Sequence, residues 1–293
     1  MPASVEIEAL GPTPVPFSLR YKFHSDRVGA KFIVDIALPP PYLMASEPLP
    51  VLFVTDGNMA FPTAAATAAI LPIEPGGPGP ICVVGIGYEL VGQGERGEHL
   101  VLRNRDLTPL RDESWEMRMR VAPPPFRFGK ELQTGGGDRF LDFIVEELTP
   151  WLLAIFPVDA TDCTLAGSSF GATLALHAMF TRPGAFARHL AISPSIWWAD
   201  GHLSKLEASY ASARDDLPTQ LYLCVGEAEE RQAPEAKMVS TFSAFVERLE
   251  ARAYPSLILS HEILPGETHV SVFNAAISNG IRQLFGATLP SGS

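Results

Sequence analysis

The sharpest chemical signal in the chain is Gly167-Ser168-Ser169-Phe170-Gly171, a G-x-S-x-G that directly follows the apolar run DCTLA and directly precedes the helix-like ATLALHAMF. A serine on a strained turn between strand and helix stands exposed above the sheet edge, and the flanking glycines let neighbouring backbone pack without a Cβ clash. The pentapeptide alone also arises by chance. The strand before it and the helix after it supply the context a nucleophile needs. Ser169 would further sit at the amino end of a helix, where unpaired N–H groups favour developing negative charge.

A serine hydroxyl is a weak nucleophile at neutral pH and needs a general base within hydrogen-bond reach. Of the seven histidines, His269 in LPGETHVSVF follows the last apolar run and leads into the final helix, where the chain order nucleophile, acid, base puts the base. His177 falls inside the elbow helix and His261 inside a strand, while His24, His99, His189 and His202 fall in the hairpin, the irregular stretch and helix edges. The acid belongs on the loop after QLYLCV, where Gly226-Glu227-Ala228-Glu229-Glu230 offers three glutamates and no aspartate. A G-x-x-acid spacing selects Glu229; Glu227 is the alternative, and Glu230 or no orienting acid stays open. An oxyanion hole also requires two N–H donors. One is Phe170, next after the serine. The other is expected in Asp56-Gly57-Asn58-Met59 after the run VLFVT, with the Asn58 amide as the candidate, although Asp56-Gly57 also reads as an ordinary turn.

Substrate contacts are sought at the same sheet edge. Trp197 and Trp198 in SPSIWW form either an aromatic wall for an aryl group or a plug between helix and sheet. Arg103 and Arg105 in RNRDLTP either meet an anionic substrate group or pair structurally with the adjacent Asp106.

The elements that must hold these residues follow from hydropathy. The runs ending at Asp56, Tyr88, Ser169, Pro194, Glu227 and Leu264 are apolar almost without interruption, as in strands covered on both faces of a mostly parallel sheet. Between them the pattern predicts helices over 59–70, 138–153, 171–181, 203–212, 233–251 and 272–285, with Asp138 as the N-cap of the second. Residues 16–39 read as an antiparallel hairpin. The alternation implies right-handed βαβ crossovers and one doubly wound, mostly parallel α/β sheet with helices on both faces, spanning 1–293 as a single domain. A charged, Pro- and Gly-rich excursion at 89–137 breaks the rhythm and reads as a partial lid or a plain surface loop.

In their order, VLFVTDGN, RNRDLTP, DRFLDFIVEELTPWL, LAGSSFGATLALHAMFTRPGAFARHLAISPSIWW, VGEAEE and YPSLILSHEILPGETHVSVFNAAISNGIRQLF resemble the putative-esterase branch of the α/β-hydrolases, from about residue 16 onward. That branch includes enterochelin-type siderophore esterases, feruloyl and acetylxylan esterases, and S-formylglutathione hydrolases. The resemblance implies an α/β-hydrolase fold with Ser169 as nucleophile, His269 as base, and Asn58 and Phe170 as oxyanion donors. A glutamate stands where many relatives carry aspartate, and some siderophore esterases are thought to use a dyad. The implied activity is a serine esterase forming an acyl-enzyme on a small organic or siderophore-type ester. An acyltransferase on the same machinery, or a non-catalytic binding protein of this fold, remain the alternatives.

The remaining features narrow the class. The 22 Lys+Arg against 33 Asp+Glu give a net charge of −11, which repels phosphate backbones and anionic lipid, so nucleic-acid and membrane partners are not expected. The amino terminus lacks a basic segment followed by an apolar one, and no run approaches the roughly 20 apolar residues of a membrane helix, so a cytoplasmic protein is expected. Cys82, Cys163 and Cys224 lie singly in strand-like runs and read as buried free thiols. No Walker motif or zinc-type spacing occurs. Gly92-Gln93-Gly94-Glu95-Arg96-Gly97 fits G-x-G-x-x-G, but EHLVLRNRD does not read as a helix opening. No metal and no cofactor are implied. A homo-oligomer is left open.

Overall fold

The computed structural model describes residues 14–43, 46–89, 95–122 and 132–286. Eight strands form one sheet in the order β1-β2-β4-β3-β5-β6-β7-β8. They are β1 (Ser18–Ser25), β2 (Ala30–Ala37), β3 (Leu49–Val54), β4 (Cys82–Tyr88), β5 (Val158–Ser168), β6 (Arg188–Ile192), β7 (Thr219–Gly226) and β8 (Leu257–Leu264). β1 and β2 form the expected antiparallel hairpin, and β2 pairs antiparallel with β4. From β4 through β8 along the sheet every pairing is parallel, so the carboxyl ends of six strands share one edge.

The helices are α1 (Gly57–Ile70), α2 (Glu95–Leu107), α3 (Glu113–Val121), α4 (Gly137–Asp142), α5 (Thr149–Ile155), α6 (Phe170–Thr181), α7 (Trp198–Ala213), α8 (Glu229–Gln232), α9 (Met238–Arg252) and α10 (Val272–Phe285). The period-two geometry of a strand sends Leu52 and Val54 toward α1 and α10 on one face, while Val51 and Phe53 pack with Phe140, Phe143 and Leu174 on the other. Farther along, Leu221, Leu223 and Val225 meet α6, α7 and α9. Both faces are thus covered, which is why the strands read as unbroken apolar runs. Cys82, Cys163 and Cys224 are free and buried in this interior, and burial pushes each thiol up to about 12.

Several local expectations need correction. The stretch at 89–137 is not a bare loop, because α2 and α3 form within it; α2 includes the EHLVLRNRD that reads as non-helical, while Gly92 and Gly94 lie outside the described residues. The helix expected over 138–153 is interrupted by a π-turn at Phe143–Leu148, and its N-cap is Gly136, with Asp138 inside the first turn instead. α7 is kinked at its start, where Ala199, Asp200 and Gly201 are left-handed, so its regular part begins after Gly201, in keeping with the helix expected over 203–212. α9 starts later, at Met238, because Lys237 at φ 47° ends the preceding turn.

At the junction of β5 and α6 neighbouring segments approach too closely for a side chain at either motif glycine. A Cβ on Gly167 would lie 2.4 Å from the Gly171 carbonyl carbon, and one on Gly171 would lie 2.2 Å from Thr55 Oγ1. Both glycines of the motif are therefore required by close backbone approach to each other and to the end of β3. Gly167→Ala is expected to lower unfolding stability by roughly 1–3 kcal/mol through overpacking, read as a lower urea midpoint at unchanged m-value.

Candidate active site

Ser169 occupies φ 58°, ψ −119°, directly after β5 and directly before α6. A non-glycine residue in such a region costs on the order of 1–3 kcal/mol and persists only where the surroundings impose it. Here Ser169 N–H donates to Ile192 O at 2.9 Å, and its own carbonyl accepts from Thr173 N–H at 2.9 Å. Phe170 opens α6 and Gly57 and Asn58 open α1, so their amides have no carbonyl one turn back to bond within the helix.

His269 lies on the loop between β8 and α10, 100 residues beyond the serine in the chain, with Nε2 3.0 Å from Ser169 Oγ. Its Nδ1 lies 2.6 Å from Glu229 Oε2. An ionised carboxylate only accepts, so Nδ1 carries the proton and Nε2 is left as acceptor for the serine hydroxyl. Glu229, the first residue of α8, is 2% exposed. Burial alone would raise its carboxyl, but hydrogen bonds from His269, Ser193 and the Gly226 N–H hold it below the usual carboxylate range. Oε1 accepts from Ser193 Oγ at 2.5 Å and from Gly226 N–H at 2.8 Å. The other two glutamates turn elsewhere: Glu227 accepts from Gly266 N–H at 2.9 Å, and Glu230 accepts from the Ser240 N–H and hydroxyl.

Two cavities meet at this hydroxyl. One, of about 580 Å³, is lined by Asp56, His99, Arg103, Ser169, His269 and Asn274 among others. The second, of about 570 Å³, is bounded largely by apolar side chains, with Trp115, Met119, Phe170, Trp197 and Met238 around Ser169 and His269. Arg103 borders both. Its guanidinium is bidentate to Asp56, Nε–Oδ1 2.8 Å and Nη2–Oδ2 2.9 Å, and lies 5.5 Å from the Phe170 ring centroid.

The substrate-contact expectations divide on this geometry. Trp197 lines the second cavity. Trp198 does not: adjacent residues at a helix start project in different directions, and Trp198 is fully buried, 4.7 Å from Phe170 and donating Nε1–H to Leu110 O at 3.2 Å. It is the plug rather than the wall. Arg103 takes Asp56, not Asp106, as its partner. Arg105 is held by the buried Asp106 at 2.7 Å and lines neither cavity. Asn58 is likewise absent from both linings; its side chain clasps the Tyr88 backbone, accepting from N–H at 2.7 Å and donating to O at 2.8 Å, and Asp56 and Met59 are the residues of that turn that line the first cavity. Trp115, which the sequence reading missed, packs 5.5 Å from Trp197 and donates Nε1–H to Asn104. Its sequence signal is Asp112, whose carboxylate accepts from Trp115 N–H as the N-cap of α3.

Among the described residues no group of three or more His, Cys, Asp or Glu side chains is arranged to hold a metal ion, and no helix is long and apolar enough to cross a membrane.

The family model described as Putative esterase matches residues 112–283. The chain is 28% identical to the siderophore triacetylfusarinine C esterase of Aspergillus fumigatus, over 94% of this chain and 95% of that one. It is 31% identical to the siderophore enterobactin esterase of Emericella nidulans, over 78% and 80% respectively. Among solved structures it is similar to siderophore hydrolase EstB from Aspergillus nidulans, at 25% identity and a TM-score of 0.77, covering 97% of this chain and all of that one.

The division between the two tryptophans has a measurable consequence. Trp198→Ala is expected to destabilise the fold by about 3–5 kcal/mol, the range for emptying a fully packed aromatic site, whereas Trp197→Ala, at a half-buried side chain, is expected to cost clearly less. Thermal unfolding of the two variants side by side checks this.

Proposed function

This chain belongs to the putative-esterase family of α/β-hydrolases and is an ester hydrolase, and from that premise we propose that Ser169, His269 and Glu229 form its catalytic triad on a siderophore-type ester. The single observation that carries the reading is the continuous chain from Ser169 Oγ to His269 Nε2 at 3.0 Å and from His269 Nδ1 to Glu229 at 2.6 Å.

In this mechanism Ser169 Oγ attacks the ester carbonyl carbon as its proton passes to His269 Nε2, and the carbonyl π electrons move onto oxygen. The resulting oxyanion is met by the Phe170 N–H and by a first-turn amide of α1, with Asn58 as the donor that the sequence motif suggests. Each such donor is worth on the order of 3 kcal/mol at the transition state. Collapse of the intermediate breaks the bond to the alcohol oxygen, which takes the proton from His269. Water, deprotonated by the same imidazole, then attacks the acyl-enzyme; the second collapse releases the acid and returns the proton to Ser169. Glu229 stays ionised throughout and stabilises the imidazolium that forms twice per cycle.

Substrate class follows from the two cavities and from the relatives. Both relatives above are named as siderophore esterases, and the serine lies where an ester can extend to either side. The Trp115, Trp197 and Met238 side takes the apolar part of the substrate. The other side, where Asp56, His99 and Asn274 sit among Met59, Leu100, Val270 and Phe273, takes a part that carries both polar and apolar groups. Arg103 is already paired, so it positions the Asp56 turn and contacts substrate as a neutralised ion pair rather than as an anion anchor.

A fluorophosphonate is expected to label the protein stoichiometrically and to fail on Ser169→Ala; an unlabelled wild type would sink the reading. His269→Ala is expected to lower kcat by three or more orders of magnitude, and Ser169→Ala/His269→Ala to be no worse than Ser169→Ala alone, because the two act as one unit. A panel of p-nitrophenyl esters and of ferric and iron-free siderophore esters, with added alcohols to reveal any acyl transfer, would define the acyl and alcohol groups.

A further inference from the structure

Ser193 is a fully buried serine at the end of β6, and its backbone sits at φ 49°, in the left-handed region that glycine occupies freely and L-residues avoid. Its N–H is tied to Cys224 O at 2.7 Å, and Ser195, two residues on, donates its N–H to Thr173 Oγ1 at 2.9 Å. The loop is thus fixed between β7 and the first turn of α6. Backbone geometry alone would be served best by glycine, so the serine must be explained by its hydroxyl. That hydroxyl has one partner, Glu229 Oε1 at 2.5 Å.

The carboxylate it meets is a demanding one. Glutamate has one more side-chain torsion than aspartate, so a glutamate that orients an imidazole needs that torsion fixed from outside. Oε2 is engaged by His269, and Oε1 is held by two donors from different strand ends, Ser193 from β6 and Gly226 from β7. Besides His269, Cys224 on β7 lies close enough to feel this carboxylate, and its thiol, pushed up to about 12 by burial, stays neutral, while the Arg103 guanidinium that shares the cavity lining is already paired with Asp56.

We infer that Ser193 is a positioning residue for catalysis, a fourth member of the Ser169–His269–Glu229 relay that fixes the Glu229 carboxylate in its ionised, imidazole-facing rotamer. The inference rests on the triad assignment above. Ser193 lines neither cavity, so it acts through Glu229 and not on substrate.

The test compares Ser193→Ala and Ser193→Gly with wild type on a hydrolysed ester. Loss of a hydrogen bond to a buried carboxylate is expected to lower kcat about tenfold to hundredfold, with KM unchanged. The glycine variant separates catalysis from folding, since it relieves the φ constraint; it is expected to keep the wild-type melting temperature while losing as much kcat as the alanine variant. The acid limb of the kcat/KM profile is expected to move to higher pH in both. Without the serine donor the carboxylate is more basic and holds a proton on the His269 pair more strongly, so the imidazole is freed only at higher pH. In a Glu229→Gln background Ser193→Ala is expected to add no further loss. Wild-type kcat in both variants, an unmoved acid limb, or a full additional loss in the Glu229→Gln background would each overturn the inference. Wild-type protein that hydrolyses no ester and takes no fluorophosphonate would instead remove the triad reading on which it rests.

Discussion

The arrangement depends on keeping one carboxylate charged where almost no water reaches it. Removing an ion from water costs several kcal/mol unless hydrogen bonds replace its hydration, and Glu229, 2% exposed, obtains them from three directions. Each donor comes from a different strand end: Ser193 after β6, Gly226 at the end of β7 and His269 after β8. Only a parallel sheet brings the carboxyl ends of successive strands to a single edge, so the topology and the charge are linked. Were β7 or β8 antiparallel to its neighbours, its end would lie at the opposite edge, and the carboxylate would be left with too few partners to stay ionised.

The same edge explains the tight glycine packing. Thr55 at the end of β3 presses against Gly171 closely enough that no Cβ fits, and this contact brings the turn before α1 up to the turn before α6. The amino ends of α1 and α6 are thereby held as neighbours at the carboxyl edge of the sheet. The Arg103 pair with Asp56 ties α2 to the first of these turns, and the Arg103 guanidinium rests over Phe170 in the second. A segment outside the sheet thus braces both turns, which gives the charged stretch between β4 and α4 a structural reason to exist apart from any covering role.

Much of this was legible from residue order. The elbow, the histidine before the last helix and the glutamate three residues after Gly226 are local patterns, and their strands and helix read clearly because each is apolar over its whole length. α2 and α3 were not legible, for a specific reason: their inward faces use Asn104, Asp106 and Glu116, all at most 3% exposed. Periodicity reading assigns such residues to solvent, so the buried stripe vanishes from the pattern and Trp115 with it. Asp106 and Glu116 tolerate burial because Arg105 and Arg111 bond them in pairs of parallel contacts, information that resides in three dimensions alone. Trp197 and Trp198 fail differently. Their common location was readable, but Trp197 and Trp198 project in different directions at the start of α7, and sequence does not say which one turns inward.

Glutamate in place of aspartate then becomes intelligible as a matter of reach. Glu229 stands at the start of the short α8, one turn beyond the end of β7, and Gly226 packs so closely against the Glu267 carbonyl that a Cβ would lie 2.4 Å away. That contact brings the His269 loop down onto the β7 end, which fixes where the imidazole lies, and from the α8 position the longer side chain spans the gap. The extra methylene brings an extra torsion, and with it a loss of orientation that a shorter acid would not suffer. Ser193 and the Gly226 amide remove that freedom by engaging the oxygen that His269 does not use. The strained backbone at Ser193 is therefore the structural counterpart of the longer acid.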